Sequence, residues 1–419
     1  MPLKIVLLTE GSASRLGGDD WVSSLFVATG RKETFKEEAS LMTRETSTLN
    51  VLMVTARYFP YMGGTETHVH EVGRRLVDSG VNVTLLTTAP HTAAAPLPRE
   101  EVVEGMRIIR VHAWPPERDY YIAPEIYSMI ERGGWDIVHC QGCHTFVPPL
   151  AMLAAKKARI PYVVTFHTGG HSSRFRTRIR SIQWKLLCPL LAAASKLIGV
   201  SRFEADYFRN LLGLPEERFA VIPNGAALPH LTHRPSRTST QSLIVSVGRL
   251  ERYKGHQHLI SALPKIREQR PDMRLLIVGA GPYEATLREL AQKVGVAEHV
   301  EIRSIPASDR QAMVETLSQA TLVALLSEYE AHPIAVMEAL TLQRPVLVAD
   351  TSGLRELAEQ KFVHAVSLNS TPQEIAAAVL QRIEEPPIPA QLALPTWEDS
   401  TQKLRAIYSA SLRRKQCAS

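Results

Sequence analysis

Three short stretches of the chain place charged or conformationally free residues where chemistry can happen. The first is Tyr61-Met62-Gly63-Gly64-Thr65-Glu66. Adjacent glycines let the backbone approach a ligand closely, and a helix starting just after them turns free N–H groups toward an anion. The second is Val247-Gly248-Arg249-Leu250, followed by Lys254-Gly255. The planar fork of an arginine and the point charge of a lysine can together pinch a diphosphate. The third runs from Ser327 to Ala339 and sets Glu330 and Glu338 eight residues apart. Glu330 falls in a loop, and Glu338 one or two turns into the following helix, whose first amides, near Ile334, point at whatever the loop holds. A carboxylate on an otherwise apolar helix face is costly unless it accepts hydrogen bonds, for instance from sugar hydroxyls. Taken singly, each stretch has a plain explanation: a tight turn, two solvated cations, an exposed glutamate.

Residues so far apart in sequence need a scaffold to gather them. From residue 50 the chain reads strand, glycine loop, helix, strand. The strand is predicted at 50–55 and the helix at about 65–79, with Val69, Val72, Leu76 and Val77 at helical spacing. Further strands are predicted at 81–87, 107–111, 137–140, 162–166, 197–200 and 220–222. Pro229 to Gln241 is polar and reads as a linker. A second alternating unit follows, with strands at 243–247, 274–278, 300–303, 322–326 and 345–348 and helices at 256–269, 283–294, 309–319 and 334–342. A last helical stretch covers about 397–412. Short, fully apolar strands with helices between them indicate parallel sheets covered on both faces. The expected organisation is an extension at 1–48, a first Rossmann-like domain at 49–230, a linker at 231–241, a second such domain at 242–395, and a C-terminal helix and tail at 396–419 that packs back toward the first domain. The extension has no clean period, and either a dispensable addition or a start at Met42 accounts for it. Two doubly wound α/β domains, each with ligand loops at the carboxyl ends of its strands, suggest a cleft between them.

Composition narrows the class. The 419 residues are 45% hydrophobic and 21% charged, as in an ordinary globular protein. The net charge of +6 suits anionic partners such as diphosphates or an acidic membrane surface. No nucleic-acid-binding motif is present. Four cysteines in so long a chain make no disulfide scaffold. No secretory signal or membrane span is visible, so a cytoplasmic enzyme is expected.

In this order and spacing the three stretches resemble the family 4 glycosyltransferases of the GT-B fold, from about residue 50 to residue 412. Further matching pieces are Val164-Thr165-Phe166-His167, Gly199-Val200-Ser201, Val221-Ile222-Pro223-Asn224-Gly225 and Ile277-Val278-Gly279-Ala280-Gly281-Pro282. The resemblance implies a retaining enzyme that takes a sugar from a nucleotide-diphosphate sugar, with no metal and no cofactor. It places Gly63 and Gly64 against the donor phosphates and has Arg249 and Lys254 neutralise the leaving diphosphate. Glu338 would bind the ribose, the amides near Ile334 would add to the phosphate cradle, and Glu330 would contact the sugar hydroxyls. His167 would sit beside the transferred sugar; without the family it reads as a core histidine ending a strand. The loop Gly169-Gly170-His171 after it would face an acceptor hydroxyl of unknown identity. The chain departs from the family pattern at Ser304, often Gly near the base pocket, and at His332-Pro333, more often Phe-Gly.

Other readings are weaker. Cys140-Gln141-Gly142-Cys143-His144 matches the form of a covalent haem attachment, but attachment requires export, and a zinc site would lack a fourth ligand. At residues 174–190, Phe175, Ile179, Ile182 and Leu186 share one helical face among Arg174, Arg176, Arg178, Arg180 and Lys185. Such a helix can dock on an anionic membrane or pack with a solvated basic flank. A nicotinamide-dependent oxidoreductase is disfavoured, because Gly279-Ala280-Gly281 is followed by Glu284 rather than Gly and strand 81–87 ends without an acid. A non-hydrolysing nucleotide-sugar epimerase of the same fold stays open, and the complete charged set argues against a silent binding protein.

Overall fold

The computed structural model describes residues 48–60, 63–89, 97–115, 121–143, 145–167, 174–226, 242–306, 309–385 and 393–418, without the side chains of 174–182 and 416–418. The extension up to residue 47, Tyr61-Met62, His144, the acceptor-side candidates Gly169, Gly170 and His171, and the predicted linker lie outside the described residues. Asn50–Ser419 forms one compact unit.

The first lobe is built in the order β1 (Asn50–Thr55), α1 (Gly64–Asp78), β2 (Asn82–Thr88), β3 (Glu100–Val103), β4 (Met106–Val111), α2 (Pro124–Arg132), β5 (Ile137–Gln141), α3 (Val147–Lys157), β6 (Tyr162–Thr165), α4 (Arg174–Ala193), β7 (Lys196–Gly199), α5 (Arg202–Leu212) and β8 (Phe219–Val221). Its sheet has the order β3-β4-β2-β1-β5-β6-β7-β8, parallel throughout except for the β3–β4 pair. The second lobe contains β9 (Leu243–Val247), α6 (His256–Gln269), β10 (Arg274–Val278), α7 (Glu284–Lys293), β11 (Val300–Arg303), α8 (Arg310–Gln319), β12 (Leu322–Leu325), α9 (Ile334–Thr341), β13 (Val346–Ala349), α10 (Ser352–Glu359), β14 (His364–Val366) and α11 (Pro372–Glu384). Its sheet is parallel, in the order β11-β10-β9-β12-β13-β14. The last helix, α12 (Trp397–Ala418), returns to the first lobe and packs on α1.

Apolar side chains on both faces of the strands explain this layout. Val51, Leu52, Met53 and Val54 are all buried, as are Leu322, Val323, Ala324 and Leu325. Strands buried on both faces must be covered by helices, which is what parallel crossovers supply. In each sheet the chain reverses its direction of growth once, between β1 and β5 in the first and between β9 and β12 in the second. Loops leaving the carboxyl ends of strands at such a reversal splay apart and open a crevice. Gly63-Gly64 follows β1, Arg249 and Lys254 follow β9, and Glu330 follows β12. The topology therefore delivers the residues singled out by type and spacing to these two reversal points. Among the described residues no helix is long and apolar enough to cross a membrane.

Candidate active site

The second lobe supplies charge. Gly255 turns the loop after β9 with a φ of +75°, and a Cβ there would lie 1.8 Å from the Leu326 carbonyl oxygen, so only glycine fits between this loop and the end of β12. That close approach sets the two loops side by side. The Lys254 ammonium reaches Glu330 Oε1 at 2.7 Å, and the Ser327 hydroxyl donates to the same oxygen at 2.9 Å. The Glu330 amide donates to Ser352 Oγ at 2.9 Å, and the Glu330 carbonyl accepts from the Gly353 amide at 2.9 Å. Burial works against the Lys254 charge, but Glu330 and Tyr253 together more than offset it, and the ammonium is held above the usual lysine range. Arg249 is half exposed and pairs with Glu251.

Glu338 lies on α9, one turn past the Pro333 cap, and is 2% exposed. Burial raises its carboxyl above the ordinary range, and Arg310, at the start of α8, opposes that rise by pairing with it. Ile334 opens α9, so its amide is one of the unpaired N–H groups at the helix start.

The first lobe presents one carboxylate, Glu66, and a set of neutral groups. Gly63 caps α1, and the Glu66 carboxylate folds back over it: a Cβ on Gly63 would lie 2.3 Å from Glu66 Oε2, whereas one on Gly64 would meet nothing within 4 Å. Burial raises the Glu66 carboxyl, while Arg57 and, from the other lobe, Arg249 pull it down. His167 follows β6 with a φ of 49°, a left-handed conformation that a non-glycine residue holds only where its surroundings impose it. Its Nε2 lies 2.7 Å from Gln141 Oε1, and its ring packs edge-on against His68 at 4.5 Å between centroids.

Asn224 joins the lobes. Its amide nitrogen can only donate, and it does so to the His332 carbonyl of the second lobe at 2.8 Å. Its oxygen therefore faces His68 Nδ1, 2.8 Å away, which must carry the proton. Burial pushes the His68 and His332 imidazoles down to about 4 each, so both are neutral near pH 7. Glu356 of α10 accepts from the Phe203 amide at 3.1 Å, placing a carboxylate at the positive end of α5, and Phe203 also packs on Tyr329.

The structure thus brings Lys254 and Glu330 into direct contact and sets Arg249 within electrostatic reach of Glu66 at the Gly63 turn. It keeps Glu338 apart from that pair, on Arg310. Sequence reasoning missed Arg310, Glu66, His68 and Gln141 as site residues. Asn224 lay within a quoted motif, but its role was not legible there.

Two family models match the chain: Glycosyltransferase Family 4 over residues 62–228 and Glycosyl transferases group 1 over residues 232–393. A glycogen synthase from Mycobacterium tuberculosis is 27% identical over 372 residues, covering 82% of this chain and 88% of its own. A D-inositol 3-phosphate glycosyltransferase from Nocardiopsis dassonvillei is 26% identical over 395 residues, covering 83% and 90%. Among solved structures, Anabaena HepE in complex with UDP-glucose superposes with a TM-score of 0.63 at 17% identity, covering 88% of this chain and 99% of its own. The chain belongs to the family 4 glycosyltransferases and has the GT-B fold.

Proposed function

We propose that the enzyme is a retaining glycosyltransferase that moves a sugar from a nucleotide-diphosphate sugar to an acceptor hydroxyl. The observation that carries this reading is the Lys254–Glu330 pair, held beside the Arg249 loop at the reversal point of the second sheet. Breaking the bond between the sugar and phosphate leaves an oxocarbenium-like cation and a diphosphate anion. Preorganised cations stabilise that anion without having to reorganise. On this reading Lys254 and Arg249 take the diphosphate, Glu330 takes sugar hydroxyls, and the α9 amides near Ile334 complete the cradle. Glu338 takes the ribose by exchanging its bond to Arg310. The acceptor oxygen bonds to the anomeric carbon on the face the phosphate leaves, and a phosphate oxygen receives the acceptor proton. Charge neutralisation by side chains makes a metal or cofactor unnecessary, so turnover in excess EDTA is expected to be unchanged. HepE was solved with UDP-glucose, which makes UDP-sugars the first donors to assay.

The test is a panel of UDP-, GDP- and ADP-sugars, with proton NMR of the anomeric centre in the product. Retention is expected, and inversion would overturn the mechanism. An epimerase would interconvert free nucleotide sugars without an acceptor, which the same spectra detect.

Docking at the inner face of an anionic membrane through residues 174–190 is a second part of this reading. Leu186 of α4 is 75% exposed next to exposed Lys185, and Phe146 and Leu153, both 47% exposed, belong to the cap and body of the neighbouring α3. Exposed apolar side chains among cations suit an interfacial helix. Flotation with anionic liposomes at low salt tests it, and no binding there would end the idea.

A further inference from the structure

The Cys140-Gln141-Gly142-Cys143 motif lies at the end of β5, and neither thiol is available for chemistry. Both cysteines are buried, and burial pushes the Cys143 thiol up to about 12. Gln141 is the residue of that motif that contacts His167. Its side chain is buried, its oxygen lies 2.7 Å from His167 Nε2, and its amide nitrogen lies 3.2 and 3.3 Å from the two ring nitrogens of His139.

His139 is itself held at both ends. Its Nδ1 is 2.7 Å from the Tyr408 hydroxyl of α12, and its Nε2 is 2.8 Å from Thr165 Oγ1. Both ring nitrogens are thus engaged, so the Gln141 amide lies against a ring whose position is already fixed. An amide N–H is the better neighbour for such a ring, and a carbonyl oxygen the worse one. That preference directs the Gln141 oxygen to His167. An amide oxygen only accepts, so the partner nitrogen must carry a proton.

We propose that Gln141 is a positioning residue that fixes the His167 imidazole as its Nε2–H tautomer, which makes Nδ1 the accepting nitrogen of the ring. His139, clamped by Tyr408 and Thr165, sets the amide orientation that makes this choice. The inference rests on the reading that places His167 beside the sugar. It adds what that reading leaves open: which nitrogen accepts, and what decides it. An imidazole in the wrong tautomer offers a donor where an acceptor is required.

The test uses the full chain and three variants. Nitrogen-15 spectra of histidine-labelled wild type, with the His167 signals assigned by their loss in His167→Ala, should report the Nε2–H form. Finding the Nδ1–H form overturns the proposal whatever the activities are. Gln141→Leu should lower kcat about tenfold or more, the scale of losing a group that orients a functional imidazole, with donor KM within about twofold, since the donor diphosphate is held by the other lobe. In Gln141→Glu the new carboxylate stabilises the imidazolium. The acidic limb of the kcat–pH profile should then move to higher pH by about one unit or more. Wild-type kcat in Gln141→Leu together with an unshifted profile in Gln141→Glu overturns the inference. If His167→Ala keeps wild-type turnover, it is the placement of His167 that fails instead. If Gln141→Leu does not fold, the wild-type spectrum and the Gln141→Glu profile still decide.

Discussion

The two faces of the cleft hold their polar groups in different ways. On the second lobe, charges answer charges: Lys254 with Glu330, Arg249 with Glu251, Arg310 with Glu338. On the first lobe, the core of the site is a set of uncharged groups tied by hydrogen bonds: His68, Asn224, Gln141, His139 and His167. An ion pair can exchange one partner for a ligand of the same sign at little electrostatic cost, so the second lobe is built to admit an anion. A buried neutral network has no such spare charge. An ion brought into it would lose its hydration without gaining a partner.

Single substitutions test that contrast. The largest effect is expected at Lys254→Ala, which should lower kcat by about two orders of magnitude, as for loss of one preorganised donor to a developing anion. A loss of less than threefold in donor turnover would remove the charged face from the mechanism. Glu338→Gln should raise donor KM about fivefold and change kcat less, since about 1 kcal/mol of ribose hydrogen bonding is lost. Titration of initial rates against donor concentration separates the two. On the neutral face, Asn224→Ala orphans His68 Nδ1 and the His332 carbonyl and should cost about 1–3 kcal/mol of stability. That loss is read from the urea midpoint, and an unchanged midpoint would mean the lobes are held together elsewhere.

The effect spread over the most residues is on acid stability. His68, His256 and His332 are held near 4, and His139 near 3, by burial. The folded state thus binds fewer protons than the unfolded chain between those values and the unperturbed imidazole value. Their contribution to stability is present above pH of about 6.5 and is lost as pH falls below it, by up to about 1.4 kcal/mol per unit for each imidazole. Thermal unfolding between pH 7 and pH 5 should show a falling midpoint. A flat profile would mean these rings are solvated.

Most of the scaffold was legible in the sequence, because strands buried on both faces read as short apolar runs. The predicted 50–55, 243–247, 274–278 and 300–303 coincide with β1, β9, β10 and β11. The edge strands β3 and β14 were missed. Glu100-Glu101-Val102-Val103 and His364-Ala365-Val366 are short and partly exposed, and their pairing comes from neighbouring strands rather than from any period of their own. In the site, Lys254 and Glu330 were legible from residue type beside a strand end. The link between Arg310 and Glu338 was not, since the two lie 28 positions apart and nothing between them signals it. The bridge made by Asn224 was hidden for the same reason, with its partners 156 and 108 residues away.

The return of α12 also bears on the order in which the molecule can be made. Tyr408 is buried against His139, and Trp397 fills space beside His68 and Gly225, where a Cβ on the glycine would lie 2.1 Å from the Trp397 amide nitrogen. The first lobe therefore lacks its own finishing pieces until residues 397–408 have been translated. A nascent chain halted near residue 390 would expose His139 and the α1 face that α12 covers, an opening for chaperones and proteases that closes only once α12 is in place.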